Sequence, residues 1–239
     1  MSKTLIRQLV LSAAGLMAAQ AACAADIGFY VGGFYGMSEK EESIGDYQGY
    51  SRQVNNDFGY TPDSFTQTLD SRSKSYGFVG GYRLLENLAV EGGYMQLGVS
   101  KYRDRASGSF AGIPTDADPN PPDVPSDLVI NIDSEIGGIA LSALGILPVS
   151  YRGEVYGRAG LMFSTHEVRR YLNDDSGGPP LRDAASESST DFLAGIGASF
   201  LVAEVYTLRA EYIRVFDAGN EDFGEGDVSM LTVGVTVRF

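Results

Sequence analysis

Asp227-Val-Ser-Met-Leu-Thr-Val-Gly-Val-Thr-Val-Arg-Phe239 is a strand with two chemically different faces. Leu231, Val233, Val235, Val237 and Phe239 share one parity, and Thr232, Gly234, Thr236 and Arg238 share the other. Side chains alternate across a strand, so this period of two makes one face wholly apolar. The pattern recurs upstream. Val155, Gly157, Ala159, Leu161 and Phe163 oppose Glu154, Tyr156, Arg158, Gly160, Met162 and Ser164. Phe192, Ala194, Ile196, Ala198 and Phe200 oppose Leu193, Gly195, Gly197 and Ser199. Tyr206, Leu208, Ala210 and Tyr212 oppose Thr207, Arg209 and Glu211, and Leu88, Val90, Gly92 and Tyr94 oppose Ala89, Glu91, Gly93 and Met95.

Segments 27–36, 75–84 and 132–147 complete a set of eight strands with weaker alternation. Segment 132–147 is apolar on both faces, which leaves its register open and is consistent with a bulge. The connections Leu84–Leu88, Pro148–Gly153 and Ala203–Val205 are short, whereas 37–74, 101–131, 167–189 and 217–226 are long or polar. Short turns on one side and long loops on the other are the plan of an all-β, eight-stranded, antiparallel up-and-down transmembrane barrel, with periplasmic turns and extracellular loops. Its apolar parity meets hydrocarbon, and its other parity, small or polar, faces the lumen. Phe29, Tyr30, Tyr35, Tyr76, Tyr82, Tyr102, Tyr206, Phe216 and Phe239 cluster near strand ends and are candidates for the aromatic girdles.

The N-terminus has the order of an export signal. Lys3 and Arg7 precede an apolar stretch from Leu9 to Ala22, and Ala22-Cys23-Ala24 supplies the small-x-small cleavage pattern. Residues 1–24 therefore read as a cleaved signal peptide and 25–239 as the barrel domain. The Ala-rich stretch is marginal for a retained membrane helix. A lipoprotein reading would use Cys23, but Gln20 stands where such signals carry Leu.

The whole chain has 239 residues, with 18 Lys and Arg against 31 Asp and Glu and one Cys. Removing residues 1–24 takes away Lys3, Arg7 and Cys23, leaving 16 bases, 31 acids and a net charge of −15. One cysteine excludes an internal disulfide and a cysteine-based zinc site. The acidic balance argues against nucleic acid as a partner. No cofactor motif is evident.

Tyr76-Gly-Phe-Val-Gly-Gly-Tyr-Arg83 followed by Asn87-Leu-Ala-Val-Glu-Gly-Gly-Tyr94 resembles the second and third strands of OmpA-like outer-membrane β-barrel domains. Tyr206-Thr-Leu-Arg-Ala-Glu-Tyr212 resembles that family's seventh strand, and Val233-Gly-Val-Thr-Val-Arg-Phe239 its closing strand. The resemblance implies a Gram-negative outer-membrane protein whose terminal Phe239 is read by the barrel-assembly machinery. It carries no sign of the peptidoglycan-binding domain found in the fullest family members.

Glu91, Arg158, Arg209 and Glu211 all fall on the lumen parity, a few residues above a short turn. Unpaired charge in a narrow interior costs several kcal/mol, so mutual pairing is expected. These positions match ones where the family keeps interior charges, while a lysine common on the family's fourth strand is replaced here, with Ala143 the matching position. The four residues can act as a static filler or as the gate of a small-ion pore.

Lys74, Lys101, Arg103, Arg105, Arg169, Arg170 and Arg214 lie at or beyond the long-loop ends of strands, the height of lipopolysaccharide phosphates. Solvated strand flanks also carry such charges. Asp217, Glu221, Asp222, Glu225 and Asp227 make one loop strongly acidic. Asp116-Ala-Asp-Pro-Asn120 opens like a calcium loop, but Pro121 replaces the turn glycine and Asp127 the bidentate Glu. The only histidine, His166, shares a parity with Ser164 and is followed by Asp174 and Asp175. That spacing does not define a catalytic triad. The expectation is thus a non-enzymatic, monomeric barrel serving envelope integrity and surface interactions, with outer-membrane lipid and lipopolysaccharide as neighbours. The alternative is a small porin or narrow channel.

Overall fold

A computed structural model describes residues 27–112, 118, 120–174, 181–219 and 226–239. The strands are β1 (Gly28–Lys40), β2 (Tyr60–Asp70), β3 (Arg72–Leu85), β4 (Leu88–Phe110), β5 (Val124–Pro148), β6 (Gly153–Asp174), β7 (Leu181–Leu201), β8 (Tyr206–Ala218) and β9 (Gly226–Arg238), with one helix, α1 (Ile44–Asp57). All pairings are antiparallel, and β9 pairs with β1, which closes an eight-stranded ring. The Phe239 N–H donates to the Phe29 carbonyl at 3.0 Å, so the two ends of the barrel chain meet. Closure satisfies backbone groups that hydrocarbon cannot.

Nine strands make eight staves, because β2 and β3 share one. β2 runs through Ser71 straight into β3, and the two together descend beside β4: Tyr60–Asp70 oppose Phe110–Lys101, and Tyr76–Leu85 oppose Gln96–Leu88.

The one-sided apolar strands face outward as expected. Leu231, Val233, Val235, Phe192, Ile196, Phe200, Leu161, Phe163, Tyr206 and Leu208 are exposed on the wall. Tyr30 and Tyr102 depart from the girdle. Both point inward, the first onto Glu91 and the second into a buried core.

Three features differ from the sequence reading. First, much of the long connections is strand. β4 continues to Phe110, β5 begins at Val124, β6 reaches Asp174 and β7 begins at Leu181. Along β4 the alternation persists above the apolar band, with Tyr102, Asp104 and Ala106 buried and Lys101, Arg103 and Arg105 exposed. Polar outward residues disguised these strands as loops. Second, 132–147 carries no bulge; where its ladder with β4 shifts, the extra residue belongs to β4. β5 holds an unbroken register with β6, whereas β4 skips Leu97 between Gln96 and Gly98. Gly98 has φ +118, a backbone that L side chains rarely adopt. Third, the lumen parity is not only small and polar. Met95, Met162, Leu193, Ile213 and Met230 are fully buried inside, packed with Leu97, Ile136, Val215 and Val228.

A second core lies above the barrel. Val54 of α1 packs with Tyr60, Tyr102, Ala106, Leu128, Ile130, Ile132 and Val168, and Ile44, Tyr47 and Tyr50 close over them. Ser43 precedes α1 as its N-cap, and Asp46 accepts the Ser43 N–H at 2.7 Å. That reciprocal cap starts the helix where β1 ends.

Candidate functional site

The lumen is built in layers, and the charged layer draws on three strands. Glu91 comes from β4, Arg158 from β6, and Arg209 and Glu211 from β8. Each lies on the inward parity just above its turn, so the barrel brings all four together. Glu91 Oε2 pairs with Arg158 Nη2, and Glu91 Oε1 with Arg209 Nη1 at 2.5 Å. Glu211 Oε1 lies 3.0 Å from Arg158 Nε, and its Oε2 lies 3.6 Å from Arg209 Nη2. The result is a closed, neutral ring in which each arginine touches both carboxylates. Side-chain exposure is 1% for Glu91 and 3% for Arg158, so protein rather than water must compensate these charges.

Two tyrosines support the ring. The Tyr30 hydroxyl donates to Glu91 Oε1 at 2.7 Å. Arg209 Nε donates to the Tyr156 hydroxyl at 3.0 Å, and its guanidinium lies 4.7 Å from the Tyr156 ring centre. Gly81 and Gly197 make room for these rings, because a Cβ on either would collide with Tyr30 or Tyr156. The parity was legible, but these partners follow only from which strands neighbour one another. Ala143 is not the lumen position on the fourth stave. It is exposed on the outer wall, and Ser142 and Leu144 face inward at that height.

A second ion pair, not singled out from sequence, sits nearer the turns. Arg83 Nη1 lies 2.8 Å from Glu154 Oε1, Ser199 Oγ donates to Glu154 Oε2 at 3.3 Å, and Arg238 approaches to 4.0 Å. Parity was the available signal, since Glu154 and Arg238 both fall on the lumen side. On the other side of the charged ring comes the apolar layer of Met95, Met162, Leu193, Ile213 and Met230. A polar layer follows. His166 Nε2 lies 2.6 Å from Ser134 Oγ, while Ser164 donates to Asp191 and contacts Ser189 at 2.8 Å. His166 and Ser164 thus serve different partners. Lys40 pairs with Glu42, which accepts from Tyr47, and Tyr47 stacks on Tyr102 at 4.7 Å. Burial pushes the Tyr102 hydroxyl up to about 12, which keeps it a donor toward Asp104.

The basic rim divides. Lys74, Lys101, Arg103 and Arg105 are exposed on the outer wall. Lys101 stands in register between Asp70 and Asp133, and Asp133 is followed by Arg169, a row of alternating sign. Arg169 also lies 2.8 Å from Glu167. Arg170 points inward instead, pairing with Asp183 at 3.3 Å and lying over the Tyr50 ring at 5.0 Å. Arg214 bridges Asp227 at 2.5 Å and Glu41 at 2.9 Å. Backbone donation from Asp217, aided by Arg214, holds the Asp227 carboxyl below the usual carboxylate range. Phe239 ends the outward row of β9. The signal-peptide reading, Asp175, Glu221, Asp222, Glu225 and most of the calcium-like stretch (Asp116, Ala117 and Pro119) lie outside the described residues. Within that stretch, Asp118 accepts the Asn120 N–H at 3.1 Å.

The family model described as OmpA-like transmembrane domain matches residues 24–239. Comparison with curated proteins finds no match. Among solved structures, the chain is similar to Neisserial surface protein A at 17% identity and TM-score 0.48, covering 89% of this chain and 97% of that one. It is similar to Ail of Yersinia pestis, solved with the heparin analogue sucrose octasulfate, at 11% identity and TM-score 0.42, covering 89% and 99%. It is also similar to OprG from Pseudomonas aeruginosa at 11% identity and TM-score 0.39, covering 88% and 95%.

Proposed function

The chain belongs to the OmpA-like transmembrane domain family, and from that premise we propose that it is a sealed, non-enzymatic barrel supporting envelope integrity and presenting an acidic surface to partners. It is an outer-membrane β-barrel by family. The observation carrying the sealed reading is the stacking of two closures in one lumen. The neutral ring of Glu91, Arg158, Arg209 and Glu211 fills one level, and fully buried Met95, Met162, Leu193, Ile213 and Met230 fill the next. Opening the charged ring alone would leave the apolar layer in place, and an eight-stranded interior is just wide enough for side chains.

Ser164 and His166 hold Asp191 and Ser134 separately, which supports a structural role over hydrolysis. Outward-facing Lys74, Lys101, Arg103 and Arg105 are placed to meet lipopolysaccharide phosphates. Arg169, Arg170 and Arg214 contribute less because each already has an acidic partner. Phe239 is the residue offered to the assembly machinery, residues 1–24 are the cleaved signal, and the barrel works as a monomer. The test is conductance of the purified chain in planar bilayers, with liposome swelling in small sugars alongside. Neither assay should exceed protein-free membranes. Steady unitary currents from the wild-type chain would establish the pore reading instead.

A further inference from the structure

Above the membrane, the barrel wall has an unpaired strand edge among the described residues. β7 pairs with β6 from Leu181 to Phe200, but with β8 only from Leu193 downward. The upper part of β7 therefore has a neighbour on one edge alone among the described residues. The direction of its other edge follows from two bonds lower down. The Leu201 N–H donates to Arg152 on the β6 side, and the Val202 N–H donates to Tyr206 on the β8 side. Backbone groups of an antiparallel strand point alternately to its two neighbours. Carried up the unbroken β6–β7 register, that alternation aims the N–H and C=O of Arg182, Ala184, Ser186, Ser188 and Thr190 at the open side.

Exposed edges are usually blunted by proline, lysine or a bulge. The opposite edge of this outer sheet, β2, is blunted in that way by Pro62 and a bulge before Ser64. The β7 edge has none of these, and its outward side chains Ala184, Ser186 and Ser188 are small and exposed. Its inward parity carries Asp183, Glu187 and Asp191; Asp183 is paired with Arg170 and Asp191 is buried on Ser164, so Glu187 is the accessible carboxylate of this row. Asp217, exposed near the end of β8, adds a second accessible carboxylate beside the gap. Glu187 is exposed and makes no ion pair among the described residues.

We propose that the open edge of β7 docks an extended, basic segment of a partner protein, which adds as an antiparallel strand along Arg182–Thr190. Backbone pairing supplies the register, and Lys or Arg at alternate positions of the segment face Glu187 and Asp217. This deepens the surface-interaction reading above and rests on its assignment of the long-strand end to the outside.

The probe is a fluorescein-labelled ten-residue peptide alternating Lys and Thr, titrated by anisotropy against the full chain in nanodiscs. Saturable binding is expected. N-methylation of alternate peptide amides, which keeps the charge, should weaken it by about tenfold or more. Ser186→Pro with Ser188→Pro should weaken it equally, because these N–H groups face the gap and the β6 ladder keeps its bonds. A heat-modifiable gel band confirms that this variant remains folded, and Glu187→Lys should weaken binding without touching the edge. Absence of saturable binding to wild type overturns the proposal. So does equal binding by the N-methylated peptide and by the proline variant, which would reduce the contact to charge. Cross-linking that finds a second copy on this edge overturns it as well. A chain that conducts yet binds the peptide overturns the sealed-barrel reading and leaves this one standing.

Discussion

At the residue scale the charged ring is the most exacting feature. Arg209→Ala leaves Glu91 and Glu211 to share Arg158, with one net negative charge in a buried layer. Breaking a buried pair this way costs on the order of 3–5 kcal/mol, read as a lower urea midpoint in micelles. Adding Glu211→Ala should recover part of the loss, since the surplus charge goes too; strictly additive losses would show that the residues are not coupled. Asp227 is a second case, four residues above the apolar run of β9. Its carboxyl is held low by the Asp217 N–H and by Arg214, so its charged form favours the folded loop. That contribution is present above the unfolded-state pKa near 4 and is lost as pH falls through the lower folded value. The protection factor of the Asp217 amide should hold at pH 5 and collapse in strong acid. Unchanged protection throughout would remove Asp227 as its anchor.

At the element scale the outer sheet and α1 enclose a core of their own above the barrel, on strands that continue into it. Their core is distinct from the Met-rich layer in the lumen, and the two meet through polar side chains. Tyr102 is fully buried in the outer core, stacked on Tyr47 and bonded to Ser51 and Asp104. Tyr102→Ala should cost about 3–5 kcal/mol, the range for losing a large buried aromatic. The loss should fall on the outer unit, because local stability varies across a fold. Trypsin should then cut around Arg52 and Arg72 while the band remains heat-modifiable. Loss of that band together with the outer unit would show one cooperative structure.

At the scale of the whole molecule, closure is the organising fact. β9 must find β1 across the entire chain, and Phe239 sits at that seam with its ring outward and its N–H on Phe29. Phe239→Ser puts a hydroxyl at the end of the lipid-facing row. Outer-membrane levels at low expression should fall several-fold, with the protein that does insert still heat-modifiable. Normal levels would show that the closing strand is recognised without its terminal aromatic.

Period-two alternation and the parity of connection lengths determined, without any structure, that eight strands close into a barrel with its oily side out. Those are local properties: a side chain's face depends only on its place in its own strand. For the same reason Glu91, Arg158, Arg209 and Glu211 could be placed on one side of the wall. What the sequence could not decide depends on pairs far apart in the chain. The ring of alternating charge needs the register between β4, β6 and β8, and Tyr30 and Tyr156 enter it through glycines on neighbouring strands. The Leu97 bulge, Arg170 turning in toward Tyr50, and the unmatched heights of β7 and β8 are likewise set across strands. The strands above the membrane escaped notice for a related reason. Outside hydrocarbon, one face of a strand can be charged and the other buried under a helix, so the apolar stripe that marks a lipid-facing strand is no longer required.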